Sequence, residues 1–222
     1  MDSFALIGGG VLLLLAAAMS PLAAFSKISR HFGTGVSSTA PGTMSGATLD
    51  NVDLSGLADF QQNQWPKDRR LTEQEVKQLA RHIISTYGLN AGQKQLLTLS
   101  FIESSWRPWV TRDEPQINDK SIGLMQTLLL TAQDLYSKGY TAPGQPTEAR
   151  LKDPFVSMYY GAAYIDWLKK GWPDKGDEWY VRAYNGGPGW ERTPRGPAMT
   201  QAYFDKYVRE IRKFSISIRT GN

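Results

Sequence analysis

The chain of 222 residues has no cysteine, which excludes disulfides, thiol nucleophiles and thiolate metal ligation. It has only two histidines, His31 and His82, far apart and outside any ligand spacing, so no catalytic metal and no cofactor are expected. No nucleic-acid-binding motif is present, and the basic residues are scattered rather than clustered, so no nucleic-acid partner is expected. Nowhere do apolar and polar residues alternate well enough to demand a β-strand, and residues 107 to 120 leave room for one small hairpin.

Charge is missing altogether from Ser3 to Ser26, where the middle reads VLLLLAAAM. A run of that length suits a helix across a bilayer. A cleaved signal peptide is the rival reading, but Asp2 stands where Lys or Arg would be needed and the small-residue pattern near Ala23 and Ala24 is poor, so residues 1–26 are expected to be an uncleaved anchor. Residues 27–66 form the next segment; within it, 33 to 57 are rich in Gly, Ser, Thr and Ala with Pro41 and show no apolar period, which predicts a flexible tether. Only two of the 25 Lys/Arg and four of the 21 Asp/Glu precede residue 60, so the remainder carries an excess of about six positive charges and suits an anionic partner.

From residue 67 to 222 the pattern is that of one compact helical domain. Thr72 with Glu75 makes a capping box, Val76, Leu79, Ala80 and Ile83 give a buried stripe, and Gly88 stops the helix. A second helix is expected from Asn90, and Thr131 with Asp134 predicts a short one ending at Gly139. Asp153 as cap and Pro154 at the first helical position launch a helix with Tyr159, Tyr160, Ala163, Tyr164 and Trp167, stopped at Gly171. A further helix leads into Ala183-Tyr184-Asn185, and the last spans about Thr200 to Phe214.

Glu103 stands out on the second helix. Gln93 to Trp106 reads QKQLLTLSFIESSW, and at about 100° per residue its apolar side chains cover nearly every side of the helix. Such a helix is buried. Glu103 projects between Leu96 and Leu99 near the C-terminus, where apolar neighbours and the negative end of the helix dipole both oppose ionisation. A proton donor at neutral pH needs those surroundings, and a glutamate paired in the core is the competing reading.

Two more motifs follow: Ser121 to Gln126 reads SIGLMQ and Ala183 to Gly189 reads AYNGGPG. The order E-S-S-W, G-L-M-Q, A-Y-N-G-G resembles the lytic transglycosylase catalytic domain of the goose-type-lysozyme-like group. Tyr87-Gly88-Leu89, Thr131-Ala132, Asp153-Pro154 and Thr200 to Val208 extend the resemblance, which covers roughly residues 70 to 215. It implies a mainly α, lysozyme-like (goose-type) globular domain, here preceded by a hydrophobic helix and a flexible linker. It also implies cleavage of the β-1,4 bond between N-acetylmuramic acid and N-acetylglucosamine in peptidoglycan. Glu103 would be first acid to the leaving group, then base towards the C6 hydroxyl, closing a 1,6-anhydro ring.

By the same resemblance, substrate-binding roles fall to residues around Glu103. Ser104 ends the helix beside it, Gly123 permits close backbone approach, and Met125 offers soft packing beneath a sugar, although methionine is also ordinary core. Gln126 can donate to and accept from an acetamido or hydroxyl group. Tyr184 and Asn185 would form the opposite wall, with Gly186 and Gly187 leaving room for the glycan. Tyr164 matches a family tyrosine near the acid. Trp190, after the Gly-Pro-Gly turn, is the first choice for stacking on a pyranose, while Trp167 reads as core. Ser121 joins the substrate-binding set; with Lys120 it replaces the usual Gly-Ala pair, as Leu129 replaces a Pro, and the loop from Pro108 to Lys120 is longer than in simpler members.

Asp113, Glu114 and Asp119 lie in that polar loop with no apolar setting to tune them, which predicts a one-carboxylate reaction. A goose-type lysozyme hydrolysing the same bond would need a second carboxylate. A catalytically idle wall-binding or virion structural module is the other alternative, and Glu103 in its apolar helix argues against it. Expected partners are peptidoglycan glycan strands, whose peptide carboxylates suit the basic body, and a lipid membrane through residues 3–26. Lys27 and Arg30 would hold their side of the span in the cytoplasm, which conflicts with a wall substrate. The expected location is membrane-anchored, acting in the periplasm or wall, with export after signal cleavage or a phage virion as alternatives. Wall turnover, secretion-channel assembly, conjugation and phage entry all remain compatible.

Overall fold

The computed structural model describes residues 65–217; the expected anchor and most of the tether lie outside them. Among the described residues no helix is long and apolar enough to cross a membrane. Seven α-helices are described: α1 (Glu73–Tyr87), α2 (Gln93–Ser104), α3 (Leu129–Ser137), α4 (Glu148–Leu151), α5 (Pro154–Gly171), α6 (Asp177–Gly186) and α7 (Gly196–Ser217). A 3-10 turn, Trp190–Arg192, links α6 to α7. Three short strands, β1 (Thr111–Glu114), β2 (Asp119–Ile122) and β3 (Thr127–Leu128), form an antiparallel sheet in sequence order.

α5 is the hub because its sequence is apolar on all sides. Phe155, Met158, Tyr160, Ala162, Ala163, Ile165 and Leu168 are all buried, and the helix packs against α1, α2, α3, α4 and α6. Each large side chain so enclosed contributes about 1.5–3 kcal/mol through water exclusion. Asp153 accepts the Phe155 and Val156 N–H groups, and Pro154 sets the first turn. α1 has the Thr72–Glu75 capping box and ends on left-handed Gly88 at φ 62°. Trp65 is buried, so the folded body begins before residue 67.

Two helix starts differ from the sequence reading. α2 begins at Gln93 after Gly92, because the Asn90 N–H is committed to Asp166 Oδ1 at 2.9 Å and holds that residue outside the helix. α3 begins at Leu129, directly from β3, and Thr131 is a buried interior residue rather than a cap. Its first turn is capped from across the sheet, where the Asp119 carboxylate accepts the Leu130 N–H at 3.2 Å. α7 also begins earlier than expected, at Gly196.

The sheet occupies the segment with room for a hairpin. Thr111 pairs with Ile122 and Glu114 with Asp119, so residues 115–118 make the turn, with Asn118 left-handed at φ 49°. Gly123 N–H donates to Val110 O at 2.8 Å and continues this pairing into the G-L-M-Q stretch. The sheet thereby fastens the G-L-M-Q stretch to the segment that leaves α2.

Candidate active site

Glu103 lies in the last turn of α2. Leu96, Leu97 and Leu99 are buried, while Phe101, Ile102 and Glu103 are half-buried, so the acid sits at the edge of the core. Ser105 and Trp106 follow with φ of 52° and 62°, turning the chain sharply away. Trp106 is anchored by its indole N–H to Leu97 O at 3.2 Å and by edge contact with Phe101 at 5.1 Å, so the turn is rigid.

Protein atoms crowd the Glu103 carboxyl, and burial pushes its pKa above the ordinary glutamate value. The Tyr203 hydroxyl on α7 donates to Glu103 Oε1 at 2.5 Å and opposes this, as do the charges of Arg112 and Lys206, while Glu114 reinforces it. Lys206 is held near by a 3.4 Å bond to Ile102 O. Tyr203 donates to Oε1, and Oε2 is the other carboxyl oxygen.

The G-L-M-Q stretch packs tightly against α2, α4 and α5. Ser104 is buried, and its hydroxyl donates to Leu124 O at 2.8 Å and Ser100 O at 3.0 Å, so it ties this stretch to the helix. Gly123 adopts φ 78°, and a Cβ there would lie 2.0 Å from Leu151 O; the close approach is to the protein's own backbone. Met125 is fully buried against Gly161, where an added Cβ would meet its side chain at 2.6 Å. The Met125 N–H donates to Ser157 Oγ at 3.0 Å, and its carbonyl accepts from Tyr184 Oη at 2.8 Å. Gln126, left-handed at φ 48°, donates from Nε2 to Val110 O at 3.0 Å and Gly123 O at 2.9 Å, so its donor braces the loop.

Across from this floor stand Tyr184 and Asn185 at the end of α6. Burial and the Glu103 charge push the Tyr184 pKa well above that of an ordinary phenol, so it stays neutral beside the acid. Tyr164 lies 5.7 Å from Tyr184 and donates to Ala183 O at 3.4 Å. Asn185 keeps Oδ1 buried without a protein donor. Gly187 faces open space, but Gly186 does not: a Cβ there would meet Thr200 at 2.5 Å and Trp190 at 3.0 Å.

Trp190 is buried, with the Arg182 guanidinium 3.8 Å over its ring. Its stacking face is therefore covered, and it braces α6 against α7 rather than presenting a plane to a sugar. Trp167 departs from expectation in the opposite sense, being half-buried rather than core.

Of the three loop carboxylates, Asp113 is exposed on β1. Glu114 is 4% exposed; its Oε1 accepts from Arg112 Nε at 2.6 Å and Ser121 Oγ at 2.9 Å. Asp119 is half-buried, with its pKa raised by burial against the N–H bonds it accepts. The expectation that all three lie in a polar loop is thus corrected for Glu114, which the pairing of β1 with β2 turns inward together with Ser121. Ser121 serves this network and is not presented to the cleft. Among the described residues no three His, Asp or Glu side chains converge as a metal site.

Tyr203, Arg112 and Lys206 were not singled out from the sequence, and Glu114 was weighed only as a loop carboxylate. Tyr203 lay within the Thr200 to Val208 stretch and spaces with Tyr207 at a helical repeat, a signal for an inward face but not for an acid partner.

An acid at the end of a buried helix, with Tyr203 and Tyr184 beside it in a helical body with a small sheet, is the arrangement of a lysozyme-like domain. Residues 83–205 match the Transglycosylase SLT domain family, and the chain belongs to that family. No curated protein matches the chain. The domain is of the lytic transglycosylase type and acts on peptidoglycan.

Proposed function

We propose that the protein cleaves the β-1,4 bond between N-acetylmuramic acid and N-acetylglucosamine and closes a 1,6-anhydro ring on the muramic residue. The observation that carries this reading is the Glu103 carboxyl, kept above its ordinary pKa by burial and held through Oε1 by Tyr203. Oε2 delivers its proton to the leaving oxygen. The resulting carboxylate is stabilised by Tyr203, Arg112 and Lys206, so the groups that oppose protonation at rest assist ionisation during the reaction. Oε2 then accepts the proton of the C6 hydroxyl, which already sits near the reacting carbon and has the advantage of proximity over bulk water. Tyr184, bonded to the Met125 carbonyl, and Asn185 after it form the wall beside the acid.

One observation favours hydrolysis as the second reading: Glu114 is a buried carboxylate close enough to interact with Glu103. Its Oε1 is occupied by Arg112 and Ser121, and its near-complete burial leaves little room for a water to be activated. Digestion of purified peptidoglycan with mass spectrometry of the products separates the two. Anhydromuramic ends, lighter than reducing ends by one water, are expected from the wild type and from Glu114→Gln, and Glu103→Gln is expected to lose on the order of 10²- to 10⁴-fold in rate. Predominantly reducing ends would overturn the ring-closing reaction in favour of hydrolysis. For location, we propose action at the cell wall from a membrane held through residues 3–26; the segment between that run and Trp65 supplies the reach.

A further inference from the structure

The aromatic side chains of the Tyr164–Tyr184 wall do not stop at the reacting centre. Trp167 stacks on Tyr164 at 5.9 Å and 10°, Trp172 meets Trp167 at 5.3 Å and 72°, and Trp179 follows 5.4 Å from Trp172. Tyr164 and Trp179 are buried, whereas Trp167 and Trp172 are half-buried, so the row reaches the surface at these two indoles. Their 72° angle makes a corner of two aromatic planes. Trp172 is also fixed by its backbone. Its N–H donates to Leu168 O at 2.9 Å, and its carbonyl accepts from Tyr180 Oη at 2.6 Å and from Lys175 N–H at 3.1 Å. Trp179 beneath it has an indole N–H with no protein acceptor. Two cations flank the row, Lys169 Nζ 5.7 Å from the Tyr180 ring centre and Lys175 Nζ 5.6 Å from that of Trp179.

We propose that Trp167 and Trp172 form an outlying glycan subsite that binds an N-acetylhexosamine unit of the strand whose scissile bond lies at Glu103. A pyranose has a face of C–H bonds and a rim of hydroxyls, which suits an aromatic corner with polar groups at its edge. Ring contacts run from this corner through buried Tyr164 to Tyr184, which ties the corner to the residues beside the acid. Lys169 and Lys175 suit the peptide-stem carboxylates that alternate sugars of such a strand carry. This inference rests on the glycan-cleaving reading above and adds to it a dependence on strand length.

The test uses the full chain as Glu103→Gln, with and without Trp172→Ala, and measures binding of chitin disaccharide and hexasaccharide by calorimetry. Loss of the indole face is expected to weaken hexasaccharide binding about tenfold and to leave the disaccharide unchanged. Trp172→Phe should restore most of the loss, and equal melting temperatures should accompany all three proteins. Equal weakening for both sugars, or no weakening for the hexasaccharide, would assign the row to helix packing and overturn the subsite. Cleavage of peptidoglycan by the parent chain is read separately. Length-dependent binding without any cleavage removes the reaction and keeps the subsite, whereas cleavage without length-dependent binding does the reverse.

Discussion

Glu103 is governed by opposed influences of different origin. Burial resists its ionisation, while the Tyr203 hydroxyl, Arg112 and Lys206 favour it. Only the hydroxyl can be removed without changing charge, so Tyr203→Phe isolates its part. Loss of a donor to the carboxylate raises the Glu103 pKa further, and because the proposed first step needs the protonated acid, the alkaline limb of the rate profile should move to higher pH. An unmoved or downward-moved limb would remove Tyr203 from the control of the acid. Burial also has a consequence for stability. A folded-state pKa above the unfolded value contributes stability that is complete below the unfolded pKa and is lost as pH rises through the folded one. Glu103→Gln does not titrate, so the wild type should lose melting temperature relative to it across that window; a difference constant with pH would show that the carboxyl is not desolvated.

At the scale of elements, the G-L-M-Q turn depends on glycine for a reason internal to the protein. Gly123 is left-handed, and its missing Cβ makes room for the carbonyl of Leu151 at the end of α4. Gly123→Ala therefore combines backbone strain with a backbone clash and should destabilise by about 3 kcal/mol in urea unfolding. A change under about 0.5 kcal/mol, the range of ordinary surface substitutions, would show that α4 gives way freely. This position also marks the limit of what the sequence reveals. The Thr72, Asp153 and Gly88 caps, the apolar α5 and the unusual glutamate of α2 were legible because each is a local pattern with one physical reading. The roles of Ser104 and Met125 were not, because hydrogen bonds to Leu124 O and Ser157 join elements distant in sequence. The same holds for Asp119, which looked like a loop acid and caps α3 through space, and for Glu114, whose burial follows from strand pairing that no clear alternation announces. Trp190 and Trp167 exchanged expected places because exposure of an aromatic residue depends on what covers it, here Arg182 over one, while the other is covered only in part by Tyr164 and Trp172.

For the molecule as a whole, the described body carries its own core. α5 packs against the helices before and after it, and α7 closes over α2 to bring Tyr203 to Glu103, so the acid is completed only when the chain is present to its last helix. The N-terminal side of the body is held by Trp65, by the 2.8 Å ion pair of Lys67 with Asp153 and by the bond from Leu71 N–H to Trp106 O at 2.9 Å. A fragment spanning 65–222 should therefore melt cooperatively, keep the glycan-cleaving activity and remain in the aqueous phase. The full chain should instead partition with lipid, because residues 3–26 form an uncharged run long enough to span a bilayer. A fragment unfolded by circular dichroism would show that residues before 65 supply core contacts. Recovery of the full chain as an aqueous protein whose N-terminus lies near residue 25 would replace the anchor with a cleaved leader and leave the catalytic argument untouched, since no residue placed at the site precedes Glu103.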